Sequence, residues 1–260
     1  MIVEWDSEDR SGVRHLFHPH KRARAIIFPA LDLGLGQIWT NSRESPTVAR
    51  LQLSVINALA GDSSSSDAVD IVRMIEPMQL AFGHDDNWTL IIKELWGDCL
   101  EIQPRTVFTT ESLDLDHLRV LREQIPSGYH LERMSLEDIQ RIDKRKAMHI
   151  PILFGSSEEF CKKGIGYCIK HDNKIVCMAS TFTPFTDMFE IQVDTFDSEH
   201  RRKGLATVAS AALMVYALEN GITPYWDAAN EASIQLALKL GYTEPDPWEA
   251  YYLKPVSGAR

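Results

Sequence analysis

Residues 188–242 constrain this chain more than any other stretch, because they read in order without a gap. Residues 188–196 alternate polar and apolar side chains at the period of a strand. A basic turn, Glu199-His200-Arg201-Arg202-Lys203, comes next. Gly204 opens a helix over 204–220, and residues 223–228 form a short strand. A second helix over 230–240 closes on Gly241-Tyr242. The result is a β-α-β-α unit whose first strand-to-helix turn carries the chemistry.

That turn has the makings of an anion seat. Arg201-x-x-Gly204-x-Ala206 lies where strand hands over to helix. The first turn of a helix has N–H groups without intrahelical partners, at the positive end of the helix dipole. Gly204 and Ala206 leave room for a phosphate or pyrophosphate against the backbone. Arg201, Arg202 and Lys203 set positive charge beside it, in a chain whose net charge is −10. For the hexapeptide by itself a solvated helix start is an equal reading, since short glycine motifs are weak signals.

The second half of the unit changes that balance. Asn230-x-x-Ser233-x-x-Leu236-x-x-x-Leu240-Gly241-Tyr242 comes after one helix and one strand. With both motifs in order, the sequence resembles the GNAT superfamily of acetyl-CoA-dependent N-acetyltransferases over roughly residues 126–255. Arg201-x-x-Gly204-x-Ala206 looks like the family's Q/R-x-x-G-x-G/A pyrophosphate loop. The later segment looks like its N-x-x-A/S…L-G-F/Y motif. Trp226-Asp227-Ala228-Ala229-Asn230 and Val193-Asp194-Thr195 resemble a two-domain branch that includes antibiotic self-resistance acetyltransferases.

The resemblance implies a GNAT fold for residues 126–260: a mixed central sheet flanked by helices, α/β (α+β) in class. It implies acetyl-CoA as co-substrate and no metal. The end of the fourth strand of the fold, here Asp194, Thr195 and Phe196, would pair with the pantetheine arm. Arg201, Arg202, Lys203, Gly204, Leu205 and Ala206, with Thr207, would hold the pyrophosphate. Asn230 and Ser233 would reach the pantetheine or phosphate side.

Acetyl transfer to an amine needs a base, because the amine arrives protonated. Glu190, Gln192 and Asp194 alternate and so share one face of their strand. Glu190 lies fourteen residues before Gly204, the spacing of the base glutamate in the histone-acetyltransferase branch of the family that the chain resembles. Glu190 and Asp194 are both candidate bases, and a solvent-facing strand edge is the plainer reading of either. Many relatives carry a tyrosine acid seven residues after the motif asparagine, where this chain has Ala237. Either Tyr242, Tyr251 or Tyr252 substitutes, or the thiolate takes its proton from water.

At 260 residues the chain has room for one large domain or two ordinary ones. Its 44% hydrophobic and 25% charged residues are those of a soluble globular protein. The acidic opening Met1-Ile2-Val3-Glu4-Trp5-Asp6 lacks a signal-peptide core. The longest uncharged apolar run, 205–218, falls short of the ~20 residues that span a bilayer. Cys99, Cys161, Cys168 and Cys177 form no C-x-x-C pair, which suits a reduced, cytoplasmic protein. A pI near 5.4 argues against nucleic acid as a partner.

Residues 1–125 read as a separate α/β lobe, and whether it is a degenerate copy of the second domain stays open. The expected elements are strands over 25–28 and 36–40 joined as a hairpin, and a helix over 47–60 behind Pro46. Residues 67–75 are ambiguous between strand and helix. A strand over 78–82, a helix over 87–96, one or two strands over 100–109 and a helix over 113–124 complete the lobe. Pro126-Ser127-Gly128 marks the boundary. His15, His18 and His20 read as part of a solvated basic arm rather than a metal site, and Asp85 or Asp86 as a helix cap.

Beyond the boundary, a strand over 129–134 and a helix over 136–145 capped by Ser135 come first. A loop over 149–154, a short helix behind Ser156 and three antiparallel strands, 165–170, 174–182 and 188–196, come after them. Phe154 and Phe160 fall where the family shapes its acceptor pocket, although core aromatics are the plainer reading. The expected function is transfer of an acetyl group from acetyl-CoA to a primary amine of a small molecule. A silent CoA-binding sensor and a protein N-terminal or lysine acetyltransferase are the alternatives. No membrane partner is expected, and monomer and homodimer both remain open.

Overall fold

The computed structural model describes residues 1–255. The chain divides into two compact units, Met1–Arg105 with the chain from Pro247 onward, and Thr106–Asp246.

The first unit runs β1 (Val3–Glu4), α1 (Ser11–Arg14), α2 (Arg24–Asp32), β2 (Gln37–Thr40), β3 (Val48–Leu53), β4 (Ile56–Gly61), α3 (Ser66–Arg73), β5 (Leu80–Gly83), α4 (Asp86–Trp96) and the first part of β6 (Leu100–Thr109). β1 to β4 pair antiparallel in sequence order, and β4 pairs β5 in parallel. β5 then pairs antiparallel with the last part of a strand from the far end of the chain, through Tyr251↔Ala81 and Tyr252↔Leu80.

Three expectations fail here: His20 is not on a solvated arm but is 1% exposed, with its Nε2 2.9 Å from the Leu59 carbonyl oxygen. Residues 25–28 are helical, because the whole run from Ala25 to Leu31 is buried and shows no helical stripe to betray it. Residues 47–60 form a hairpin, not a helix. Ser54, in left-handed backbone at φ 54°, turns the chain, and Val48 to Leu51 and Asn57 to Ala60 are buried on both sheet faces. A strand buried on both faces does not alternate. The ambiguous stretch at 67–75 is α3, capped by Ser65, and Asp85 caps α4 by accepting from Trp88 N–H at 3.0 Å.

The second unit runs from the end of β6 through α5 (Leu115–Arg122), β7 (His130–Arg133), α6 (Leu136–Arg141), a π-helical turn (Ile150–Phe154), α7 (Ser157–Lys163), β8 (Gly166–His171), β9 (Lys174–Thr181) and β10 (Met188–Thr195). It continues with α8 (Leu205–Glu219), β11 (Thr223–Tyr225), β12 (Asp227–Ala228), α9 (Glu231–Leu240) and the start of β13 (Thr243–Leu253). The expected boundary after residue 125 therefore falls inside this unit. Leu118 and Leu121 of α5 are part of its core, where they join Ile169 of β8 and Phe189 of β10.

β8, β9 and β10 form the expected antiparallel meander, to which β7 adds at the β8 edge, with Asp172 and Asn173 both left-handed in the β8–β9 turn. β11 adds to β10 in parallel across α8. The order strand, two helices, three strands, helix, strand, helix, strand thus occurs in both units, with the same parallel pair flanking the same helix.

Alternation along β10 sorts the core. Phe189, Ile191 and Val193 pack on the face that α8 covers, together with Cys177 and Ala179 of β9. α8 is buried on nearly every side, as its alanine-rich sequence requires. The opposite face carries Cys168 and Met178 under the α6–α7 region, where Phe154 and Phe160 meet edge-on at 4.9 Å. Those two phenylalanines are core residues.

Candidate functional site

The fork between β10 and β11 is the centre of the site. The parallel ladder runs from Met188↔Thr223 to Glu190↔Tyr225 and goes no further. Beyond it β12 pairs with β6 through Asp227↔Val107, while β10 continues along β9 to Thr195. One side of β10 is therefore open from about Val193 on.

Hydrogen-bond parity decides which backbone groups face that opening. On the β9 side, Phe182 N–H donates to the Glu190 carbonyl and Phe196 N–H to the Val176 carbonyl, both at 2.9 Å. In an antiparallel ladder every second residue bonds to the same neighbour. Glu190, Gln192, Asp194 and Phe196 are thereby committed to β9. Val193 and Thr195 turn their N–H and C=O groups to the fork. Of the expected pantetheine partners Asp194, Thr195 and Phe196, only Thr195 has the right parity, and Val193 joins it. The Thr195 carbonyl also accepts from Arg201 Nε at 3.3 Å.

The turn into α8 has backbone geometry that could seat an anion. Arg202 and Gly204 are left-handed, at φ 59° and 80°, with Lys203 between them. Such alternation gathers successive N–H groups into a concave nest. A Cβ on Gly204 would meet no atom within 4 Å, so the space over the turn is open. Gly204 caps α8 without a side chain, and the first turn carries no acid, which leaves the N–H groups of Leu205, Ala206 and Thr207 available. Arg201, Arg202 and Lys203 are exposed, and Thr207 is buried. The loop is pinned at Asp197, which takes Lys146 Nζ at 3.1 Å, and at His200, whose Nδ1 lies 2.9 Å from the Tyr129 hydroxyl.

Asn230 and Ser233 do local work. The Asn230 side chain accepts from Ser233 N–H at 3.0 Å and caps α9, and Ser233 Oγ accepts from Trp226 Nε1 at 3.0 Å. Ala237 is buried in the core, so the usual acid position offers no proton. Tyr242 is buried and donates to the Pro224 carbonyl at 2.8 Å; burial raises its pKa well above the ordinary value. Tyr251 and Tyr252 belong to the first unit, where they bond Glu249 and Met78.

Both candidate bases lie on the sheet face opposite α8. Asp194 is exposed. Glu190 is 7% exposed and sits at the last rung before the fork. Two residues that the sequence does not single out share its face. Ser180 stands across from Gln192, and His149 Nε2 lies 3.0 Å from Ser180 Oγ. The His149 ring stacks on Phe182 at 6.0 Å, and burial lowers its pKa to about 4. It is a neutral imidazole at physiological pH. At the loop end of this face, a groove of about 550 Å³ runs past Lys146, Lys170, Phe196 and Asp197.

The cysteines are free thiols. Burial pushes Cys168 and Cys177 up to about 12, so neither is a thiolate near neutral pH. Among the described residues no three His, Cys, Asp or Glu side chains cluster as metal ligands, and no helix is long and apolar enough to cross a membrane.

The family model described as GNAT acetyltransferase matches residues 14–251 of this chain. The uncharacterized N-acetyltransferase YdfB of Bacillus subtilis is 26% identical over 97% of this chain and 98% of its own. A GCN5-related N-acetyltransferase-like protein from Streptococcus suis superposes with a TM-score of 0.79 at 27% identity, over 95% of this chain and 99% of that one. A tandem GNAT protein from the clavulanic acid biosynthesis pathway shares the fold, with a TM-score of 0.51 at 15% identity over 83% of this chain and 81% of its own.

Proposed function

Since the chain belongs to the GNAT acetyltransferase family and is an acyltransferase, we propose that it moves an acetyl group from acetyl-CoA to a primary amine of a small molecule. The observation that carries this reading is the fork: an open strand edge at Val193 and Thr195, followed after a loop by a helix start with no side-chain cap and no acid in its first turn. A pantetheine arm has the amide groups to pair with such an edge, and a pyrophosphate suits such a helix start. Acetyl-CoA would supply the activated acyl group.

Glu190 is the base in this reading, with Asp194 as the second carboxylate on the same face. Its place at the last rung sets it beside the opening where the thioester would lie. It takes the proton that the ammonium must lose before nitrogen attacks the acyl carbon, and the carboxylate face suits a cationic acceptor. An N–H group on the open edge donates to the carbonyl oxygen as charge builds there. As the C–N bond forms, the C–S bond breaks and the CoA thiolate takes a proton from water, since Ala237 supplies none. Direct transfer is favoured over a cysteine-linked route, because the buried thiols Cys168 and Cys177 are held protonated.

The first unit repeats the topology without the chemistry, which supports reading it as a degenerate copy. Where α8 starts after Arg202-Lys203-Gly204, α3 starts after Asp62-Ser63-Ser64-Ser65 and carries Asp67 in its first turn. Asp62 already accepts from Ser64 N–H, and Ser65 from Asp67 N–H. Acids and self-capping leave no seat for a phosphate, so one CoA per chain is expected.

Calorimetric titration with acetyl-CoA tests the reading. One site is expected, and Gly204→Glu, which puts a carboxylate over the nest, should abolish it. Equal affinity in that variant would remove the loop from the site. Thiol release during a screen of small amines would then identify the acceptor. Release only with peptide substrates would move the function to protein acetylation.

A further inference from the structure

Tyr129 lies outside every motif of the site, yet it holds two residues of the phosphate loop at once. Its hydroxyl is 2.9 Å from His200 Nδ1 and 3.1 Å from Lys203 Nζ, and the Lys203 ammonium stands 5.7 Å from its ring centroid. The tyrosine is only 8% exposed and wedged against His171, whose ring is 4.7 Å away, so the hydroxyl is fixed in place. Lys203 itself is exposed.

Lys203 has only N–H groups to give, so the Tyr129 oxygen accepts from it. The same hydroxyl lies within hydrogen-bond distance of His200 Nδ1, so one oxygen ties both residues of the loop. His200 Nε2 lies 3.4 Å from Glu199 Oε1. Tyr129 thus links Lys203 to His200 through a single hydroxyl.

We propose that Tyr129 is a positioning residue for cofactor binding: through this relay it holds the Lys203 ammonium and the His200 end of the loop in the geometry that receives the phosphates. The proposal rests on the acetyl-CoA reading above. Its physical basis is preorganisation. An exposed lysine loses rotamer freedom when it engages a ligand, and a side chain already held in place loses less. A phosphate arriving at the nest meets an ammonium that Tyr129 has fixed one residue before Gly204.

The test is a double-mutant cycle on the affinity for CoA, measured by calorimetry on the full chain. Tyr129→Phe keeps the ring and removes only the hydroxyl. It should raise Kd about tenfold, the scale of one hydrogen bond to a charged group. Lys203→Met, at an exposed position, should weaken binding by a similar factor. Because Tyr129 acts through Lys203, the double variant should bind hardly worse than Lys203→Met alone. A purely structural tyrosine would instead give multiplying effects, or a Tyr129→Phe Kd within twofold of the parent, and either result overturns the proposal. Should Tyr129→Phe lose its folded baseline, His200→Gln with Lys203→Met completes the same cycle through the other end of the relay, with the same outcomes for and against. Failure of the unsubstituted chain to bind CoA would overturn the cofactor reading itself, and the positioning role with it.

Discussion

Glu190 sits at the rung where two parallel strands part, and that position makes its test sharp. Glu190→Gln keeps the shape and removes the proton acceptor. Turnover should fall by roughly 10²-fold or more, most at low pH where more of the amine is protonated. A variant with the parental pH–rate profile would shift the role to Asp194. A second residue invites the opposite kind of substitution. Arg50 on β3 is 2% exposed, lies over the Trp39 ring at 5.6 Å and donates from Nη2 to Gln52, while its Nε and Nη1 find no hydrogen-bond partner. Burial lowers its pKa to about 10. Arg50→Met should raise the melting temperature, by about 1–2 kcal/mol of stability, since a buried charge without full compensation costs more than an apolar side chain of similar length. At this scale the sequence is legible where chemistry is local. The alternation of Glu190, Gln192 and Asp194 puts the carboxylates on one face, and the glycine and cations mark the anion seat. Hydrogen-bond parity is not legible, because it depends on the register with β9, and so the sequence does not point to Val193. Tyr129, His149 and Ser180 join the site across gaps of 71 and 31 residues, which no local pattern records.

Helix ends are the elements that the sequence announces most readily. Ser135 closes a capping box with Asp138, Ser156 caps α7, and Asn230 caps α9, each from a side chain that answers an N–H three residues on. Asn230→Ala should therefore cost about 1 kcal/mol and lower the melting temperature by about 2–4 °C, even without cofactor. A loss seen only with CoA bound would instead give Asn230 a ligand role. Strands and helices buried on all sides escape such reading, as at 25–28 and 47–60, because periodicity is a signal of half-burial. β13 escapes it for another reason. Pro245 and Pro247 interrupt it, and proline normally argues against a paired strand.

For the whole molecule, two buried imidazoles set an acid limit. His20, bonded to the Leu59 carbonyl in the first unit, and His149 in the second are both lowered from 6.5 to about 4, chiefly by burial. Below pH 6.5 the unfolded chain takes up protons that the folded rings refuse. Stability from this source is full above about pH 6.5 and is lost as pH falls toward 4, by roughly 3 kcal/mol per ring. Urea midpoints measured from pH 7.5 to 4.5 should fall accordingly. His149→Gln should flatten that decline by one proton, and an unchanged slope would mean that the ring titrates normally.

The exchange of strand ends between the units has a consequence for how the chain is made. Residues 106–109 of β6 serve the second unit, and residues from 247 on serve the first. During synthesis the amino-terminal sheet emerges with the edge of β5 bare. That edge waits for a strand encoded more than 160 residues later, since Ala81 pairs with Tyr251. The gene therefore cannot be cut at a domain boundary to give two working halves, and the nascent first unit must be shielded from aggregation until the strand that carries Tyr251 has been made.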